Sequence, residues 1–197
     1  QPQLGFNVRA FPTATTFAFE TLGWNRFWPS NPVNRRYRLP DFDTDREQDI
    51  EQPAGAFLML RRDALKAVGG LDEQFHPLWF EDVDLCRRLH YAGYRIRYVP
   101  SCMAQHEGAH SLKSIDLELQ CLAWYGNLLR FSDRHFSGWV FLWLVPVVLA
   151  GVFGRWCWSL ATGKQIERKA YAKVLQSLSG GGFPSRGSPA GAWMGLL

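Results

Sequence analysis

The sequence is poor in cysteine and has no cysteine pattern typical of a zinc site. It has four cysteines, and none forms a C-x-x-C pair. We therefore expect reduced thiols, mostly buried, in a cytoplasmic protein. The four are Cys86, Cys102, Cys121 and Cys157.

The N-terminus also lacks the features of a secretory signal. The chain begins Gln1-Pro2-Gln3, with no initiator methionine, no basic segment and no apolar stretch. Such a start is typical of a piece of a longer chain, so we expect further sequence upstream.

A basic excess is missing from most of the chain. Residues 1–150 hold sixteen Lys and Arg against seventeen acids, whereas residues 151–197 hold six against one. A nucleic-acid-binding domain needs a basic patch on its folded surface, so we expect no nucleic-acid partner. A cationic cluster confined to one end suits an anionic membrane surface instead.

The chain contains enough hydrophobic residues to form a folded core. With 197 residues, 47% of them hydrophobic, the chain can bury a core and should form one domain with an appendage. Residues 1–54 have no sustained periodicity and predict irregular structure, apart from a short helix around residues 15–22. Within them, the acidic stretch 41–51 is typical of a solvated loop.

A regular pattern of strands and helices begins at residue 55. Apolar or alternating runs predict strands over residues 56–60 and 94–99. Helical spacing with a glycine stop predicts helices over residues 63–68 and 81–93. This strand–helix–helix–strand order is typical of α/β proteins.

The third region contains a predicted helix, 115–131, and a long apolar run. Residues 139–154 carry no charge and contain Pro146. Their length lies between that of a core helix and that of a membrane span. Tryptophans and cations flank the run, as at membrane interfaces, so we predict membrane association. A buried helix hairpin is the alternative.

Three carboxylates occupy the predicted start of the 81–93 helix: Glu81, Asp82 and Asp84. Backbone N–H groups at a helix N-terminus would stabilise Glu81 and Asp82 as anions, and one of these two could face a cleft as a general base. A like-charged neighbour and partial burial would raise its pKa toward a useful value. An acidic first turn is also a common helix cap, so the pattern alone leaves both interpretations open.

His106 and His110 lie in a glycine-containing stretch after the second predicted strand. A neutral imidazole in such a loop can bind a divalent metal. A structural histidine held by hydrogen bonds is the alternative for each of them.

The order of several short motifs resembles the C-terminal half of family 2 glycosyltransferases, in particular the rhamnosyltransferase-like enzymes of bacterial cell-surface polysaccharide synthesis. The motifs are residues 55–64, 68–75, 80–89, 92–95 and 98–100, and His106. The resemblance is dense over residues 55–111 and looser on both sides. It implies a GT-A fold, which is an α/β nucleotide-sugar domain around a mixed sheet, followed here by apolar and amphipathic helices.

The resemblance also implies a division of the chain into three parts. Residues 1–112 would form the acceptor and catalytic-base half of the transferase domain. Residues 113–178 would form a helical, membrane-associated segment. Residues 179–197, rich in Gly, Pro and Ser, would be a disordered tail.

The resemblance assigns roles to the matched residues. Asp82 would be the base that deprotonates the acceptor hydroxyl, and Glu81 would orient the acceptor or tune the base. His106 would help to hold a divalent cation, Mg²⁺ or Mn²⁺, that neutralises the diphosphate leaving group. Four residues would contact substrate: Gly55 and Ala56 by lining the cleft, Trp79 and Phe80 by stacking on a sugar.

The sequence departs from the family at one important point. The family carries an Asp-rich D-x-D motif and nucleotide-binding strands ahead of the part seen here. Asp41-Phe42-Asp43 has the letters of that motif but lies where the family has a variable loop, so we interpret it as chance. The chain would then lack most of the donor half of the active site.

These observations lead to one expected function. The chain would belong to an inverting glycosyltransferase that moves a sugar from a nucleotide-diphosphate donor to a lipid-linked or cell-surface glycan acceptor. It would work at the cytoplasmic face of the cell membrane and would be incomplete as given.

Two alternatives belong to other classes of protein. One is a non-catalytic, membrane-associated remnant or interaction domain that keeps the motifs of the fold. The other is a metal hydrolase built on Glu81, Asp82, Asp84 and His106, which would need a further ligand cluster that the sequence does not offer.

Overall fold

The computed structural model describes residues 8–104 and 115–179. Helices dominate this part of the chain, and the strands are short. The strands are β1 (Val8–Arg9), β2 (Gln48–Ile50), β3 (Gln52–Pro53) and β4 (Ile96–Tyr98). The α-helices are α1 (Ala14–Leu22), α2 (Trp24–Phe27), α3 (Pro32–Arg38), α4 (Arg62–Ala67), α5 (Glu81–Tyr91), α6 (Leu117–His135), α7 (Gly138–Ala161) and α8 (Gln165–Ser179).

The strands form two small antiparallel sheets. β1 pairs with β3, with Val8 opposite Pro53, and β2 pairs with β4, with Ile50 opposite Ile96. β4 confirms the strand predicted over residues 94–99. In the ranges that the structure describes, both pairs are antiparallel, so the mixed sheet implied by the resemblance is not seen there.

The predicted helices are confirmed, but the irregular N-terminal region is not. α1, α4, α5 and α6 lie where the sequence pattern predicts helices. The prediction of irregular structure is wrong for α2 and α3. α3 begins because Asn31 caps it by accepting the N–H of Asn34 (2.8 Å), and Pro32 occupies its first position. These are capping signals, and hydrophobic periodicity does not detect them.

The predicted strand at residues 56–60 is wrong. The segment is a loop in which Phe57 is 55% and Met59 is 91% exposed. A strand needs the backbone of a neighbour, and in the described residues the four short strands already pair with one another.

The prediction that residues 41–51 form a solvated loop is wrong at its C-terminal end. β2 lies there, and its acids pair with arginines on and beside β4. Arg97 Nη2 lies 3.0 Å from Glu47 Oε2, and Arg95 Nε lies 2.8 Å from Asp49 Oδ2. Opposite charges across adjacent strands stabilise such a ribbon modestly.

The main core lies where α1, α6, α7 and α8 meet. On α7, Leu144, Val148 and Val152 are completely buried. Phe17 and Phe80 join the same core from the N-terminal part of the chain. The segments predicted as residues 1–112 and 113–178 therefore share one hydrophobic core.

α7 extends the apolar run at both ends. It is the one helix among residues 8–104 and 115–179 whose length and composition would allow it to cross a membrane. Pro146 lies on its exposed side, and the helix continues past it.

Candidate active site

The candidate site lies at the N-terminus of α5, after an unusual turn. Trp79 and Phe80 have φ values of 69° and 74°, a left-handed conformation that is rare for residues with a side chain. Such a conformation costs free energy and persists only where neighbouring structure imposes it. Here it directs the chain into α5, whose first residues are Glu81 and Asp82.

Asn127 on α6 holds this turn. Its buried amide nitrogen Nδ2 lies 2.8 Å from the carbonyl oxygen of Leu78, 3.0 Å from that of Phe75 and 3.3 Å from that of Trp79. A single amide therefore binds three carbonyl groups of the segment that leads into the candidate site. The sequence patterns did not identify Asn127, because an isolated Asn in an amphipathic helix carries no local signal.

Asp82 is held by Gly55, one of the two residues that the resemblance places in the lining of the cleft. The N–H of Gly55 donates to Asp82 Oδ2 (2.9 Å), and the N–H of Val83 donates to Oδ1 (2.8 Å). Asp82 stays partly exposed. A Cβ on residue 55 would lie 3.2 Å from Asp82 Cβ and 3.3 Å from Oδ2, so a larger residue there would displace the Asp82 side chain by a few tenths of an ångström.

Glu81 lies beside Asp82 in a less polar environment. Within the described part of the chain its Oε2 atom is buried and has no hydrogen-bond partner. Burial raises the pKa of Glu81, and the charge of Asp82 adds to the rise, while a hydrogen bond from its own backbone N–H opposes it. The sequence predicts that burial and a like-charged neighbour raise the pKa of one carboxylate in this turn. In the structure both effects act on Glu81.

The two aromatic residues predicted to stack on a sugar have different environments. Phe80 is 5% exposed, and its ring contacts the rings of Phe17, Trp124 and Phe131 in the core. It has no face open to a sugar in this structure. Trp79 is half-buried against the edge of Trp124, with ring centroids 5.6 Å apart.

Ala56 follows Gly55 in the exposed loop and lies at the edge of the candidate site. The predicted metal ligand, His106, lies outside the described residues, and so does His110. Across residues 8–104 and 115–179, no three His, Cys, Asp or Glu side chains come together to hold a metal.

Asp84 is completely buried and belongs to the scaffold of the site. Its carboxylate lies 2.8 Å from His135 Nε2, 2.7 Å from Arg88 Nε and 3.1 Å from Arg134 Nη1. Burial alone would raise the pKa of Asp84, but these hydrogen bonds and charges outweigh it and lower the pKa. Because its oxygens are already bonded, Asp84 does not support the metal hydrolase alternative.

Known proteins share sequence with this region. Residues 32–127 match the family model described as "Glycosyltransferase like family 2". The resemblance noted from the motifs is therefore confirmed: residues 32–127 are similar to family 2 glycosyltransferases, and the similar proteins include rhamnosyltransferases.

Particular relatives are similar over parts of the chain. An N-acetylglucosaminyl-diphospho-decaprenol L-rhamnosyltransferase of Mycobacterium tuberculosis is 36% identical over 121 residues, which is 61% of this chain and 38% of that protein. The rhamnosyltransferase WbbL of Escherichia coli is 30% identical over 110 residues, which is 55% of this chain and 38% of that protein.

A third relative is similar over a shorter part of the chain. The pre-mycofactocin glycosyltransferase of Mycobacterium tuberculosis is 43% identical over 80 residues, which is 41% of this chain and 16% of that protein. The chain thus spans well under half the length of the curated relatives it matches. No solved structure matches it.

Proposed function

We propose that this chain carries the catalytic base and part of the acceptor site of an inverting glycosyltransferase. One observation carries the proposal: the Gly55 N–H donates a hydrogen bond to Asp82 Oδ2. This bond joins the loop that is expected to line the cleft to the carboxylate that is expected to act as the base. The N–H groups of Gly55 and Val83 each bond one carboxylate oxygen, and the remaining lone pairs of the partly exposed group can accept the hydrogen of an acceptor hydroxyl.

In the proposed reaction Asp82 is the general base. Its carboxylate takes the proton of an acceptor hydroxyl as the oxygen attacks the anomeric carbon of the donor. The bond from that carbon to the nucleotide-diphosphate oxygen breaks, and the diphosphate leaves with the electron pair. A single displacement from the opposite side inverts the configuration at this carbon.

Glu81 has a supporting role in this scheme. Burial and the charge of Asp82 raise its pKa, so Glu81 takes up a proton more readily than an exposed glutamate does. Its place next to Asp82 at the start of α5 lets it bind an acceptor hydroxyl beside the base. This position suits the orienting or tuning role that the resemblance implies.

The name of one relative, an N-acetylglucosaminyl-diphospho-decaprenol L-rhamnosyltransferase, supports a lipid-linked acceptor, and the family resemblance supports the donor class. We propose a nucleotide-diphosphate sugar as donor and a lipid-linked or cell-surface glycan as acceptor, at the cytoplasmic face of the cell membrane. Trp79 is the aromatic residue of the predicted pair that remains accessible for contact with a sugar.

The proposal includes a divalent cation, Mg²⁺ or Mn²⁺, which would neutralise the leaving diphosphate when bound. The described residues do not assemble a ligand set for it, and its proposed ligand, His106, lies outside them. The steps above are therefore derived from Asp82 and Glu81 alone.

The test is an Asp82→Asn substitution in the full natural protein. Because the amide cannot accept the hydroxyl proton, we expect sugar transfer to fall by at least about 10²-fold while nucleotide-sugar binding stays within about twofold. Transfer is measured with labelled donor, and binding by calorimetry with Mn²⁺ present.

Asp63→Asn is the matched control, because Asp63 is an exposed carboxylate paired with Arg61 away from the site. It should leave transfer unchanged. Normal turnover in Asp82→Asn would contradict the role of the base. Absence of nucleotide-sugar binding by the unsubstituted protein would favour the non-catalytic remnant.

A further inference from the structure

The outward face of α7 is apolar along the whole helix. Arg155 is its only charged residue, and it turns inward. Its guanidinium donates to the carbonyl oxygen of Glu20 (2.9 Å) and to that of Thr21 at the end of α1. The exposed side therefore carries no charge. Its large apolar residues are Trp139, Leu142, Trp143, Phe153, Trp158 and Leu160.

α2 carries a second group of exposed aromatic residues close to the C-terminal half of α7. α1 packs along α7, with Gly151 against Thr21, and Gly23 follows α1 beside Arg155. α2 begins at the next residue, so it lies near the C-terminal half of α7. Three large rings in and beside it are exposed: Trp24 at 51%, Phe27 at 84% and Trp28 at 56%.

Exposed cations without an ion-pair partner among the described residues lie on α2 itself, on α3 next to it, and on α8, which packs against α7. Arg26 on α2, Arg36 on α3 and Lys169 on α8 are exposed, and none forms an ion pair with another described residue. A bond from Asn31 Nδ2 to Asn25 Oδ1 (2.8 Å) ties the start of α3 to α2. Exposed aromatic rings beside free cations suit the boundary between anionic headgroups and acyl chains.

The opposite face of α7 argues against a helix that crosses the bilayer. Leu144, Val148 and Val152 are completely buried in the core shared with α1, α6 and α8. Those neighbours carry ion pairs, such as Arg38 with Glu20 of α1 and Lys173 of α8 with Glu118 of α6. A spanning α7 would draw these charges toward the hydrocarbon, where charged side chains are strongly disfavoured.

We infer that α2 and the outer face of α7 together form a monotopic docking surface for an anionic lipid bilayer. α7 lies along the membrane surface, and α2 inserts its rings at one end of it. This inference rests on the membrane association included in the proposed function. It adds a contact from the N-terminal part of the chain and an orientation for α7.

The first experiment measures flotation of the full chain with vesicles of phosphatidylcholine and phosphatidylglycerol. The double variant Phe27→Ser, Trp28→Ser should bind at least about tenfold more weakly, because two exposed rings no longer enter the interface. Met59→Ser is the matched control, since Met59 is 91% exposed but lies in the loop at residues 56–60. It should bind like the parent, and thermal unfolding verifies that all three chains fold.

The second experiment uses a natural cysteine on the outer face of α7. Cys157 is exposed there, whereas Cys102 is exposed outside both helices. Vesicles should slow maleimide labelling of Cys157 in a Cys102→Ser chain by at least about fivefold. They should leave labelling of Cys102 in a Cys157→Ser chain unchanged.

Four results would overturn the inference, each in a different way. Vesicle binding that is unaffected by the double variant would exclude the α2 contact. Retention of the protein in vesicles after alkaline carbonate extraction would show that α7 crosses the bilayer. Failure to bind vesicles would remove the membrane contact but leave the transferase proposal, which depends on Asp82, intact. A dimer in sedimentation that the double variant dissociates would show that a second copy covers this surface.

Discussion

At the scale of single residues, three similar carboxylates within four positions have three different environments. Asp84 is fully buried and bonded by basic side chains, Glu81 is half-buried, and Asp82 is partly exposed and bonded by a backbone N–H. Since their chemistry is nearly the same, burial and hydrogen-bond partners account for the different roles that the three side chains can take. Helix α5 thus combines a scaffold residue with a candidate base.

Asp84→Asn should lower the free energy of unfolding by about 3 kcal/mol at neutral pH, because it leaves buried arginine charge uncompensated. Burial raises the pKa of Asp84, but the hydrogen bonds from His135 and Arg88 reverse this and lower it. Its stabilising effect is therefore present above the ordinary Asp pKa of about 4 and is lost as the pH falls through the folded-state value. Urea unfolding at pH 7 and at successively lower pH below about 4 measures both effects.

Asp63→Asn is again the control, here for stability. Its ion pair with Arg61 is exposed, so no measurable change in unfolding free energy is expected. Equal losses of unfolding free energy in the two variants would contradict a stabilising role for the buried contacts of Asp84. A loss in Asp84→Asn that stays the same in acid would contradict it as well.

At the scale of elements, the contact between α1 and α7 determines where the outer surface of α7 faces. The two helices approach at Gly151, where a Cβ would lie 2.5 Å from the carbonyl oxygen of Thr21 and 2.6 Å from its Cγ2. Arg155, one turn further along α7, donates to the same carbonyl group. Because both contacts fall on one side of α7, its other side is left to solvent or to lipid.

Gly151→Ala should destabilise the chain by about 2 kcal/mol, since the added methyl group collides with backbone atoms of α1. The neighbouring Gly154→Ala is the matched control, because no atom lies within 4 Å of a Cβ there. It should be neutral or stabilising by up to about 1 kcal/mol through helix propensity. Thermal or urea unfolding of both variants tests this. A stable Gly151→Ala chain would mean that α1 and α7 are not in such close contact.

At the scale of the whole molecule, one core joins segments that the sequence suggests are separate. Phe17 and Phe80 contact residues of α6 and α7, such as Phe131 and Leu144. Asn127 of α6 also fixes the turn that precedes Asp82. The helices after residue 113 are therefore part of the support of the candidate site.

A chain that ends at residue 112 should fail to fold cooperatively, because its aromatic core residues lose their partners in α6 to α8. Circular dichroism and thermal unfolding would then show a broad transition or none. A chain that ends at Ser179 retains every described helix and is the control, which should unfold in one sharp transition. Cooperative unfolding of the 1–112 chain would mean that it forms an independent domain.

The long periodic elements were predictable from the sequence, and the short contact-dependent ones were not. α5 and α6 follow from their apolar spacing, because that signal is local. α2 and α3 are too short to show apolar spacing. The loop at residues 56–60 has the composition of a strand, but apolar composition does not reveal whether a partner strand is present. Glu81, Asp82 and Gly55 were predictable from the motif, whereas Asn127 was not.

The sequence by itself determined the family relationship, the acidic start of α5 and the uncharged run within α7. Each depends on residues close together in the chain. Only the tertiary structure decided that Gly55 binds Asp82, that Phe80 is buried in the core, and that α7 buries one face and exposes the other. These outcomes depend on contacts between residues far apart in sequence, and local pattern does not determine which distant surfaces meet.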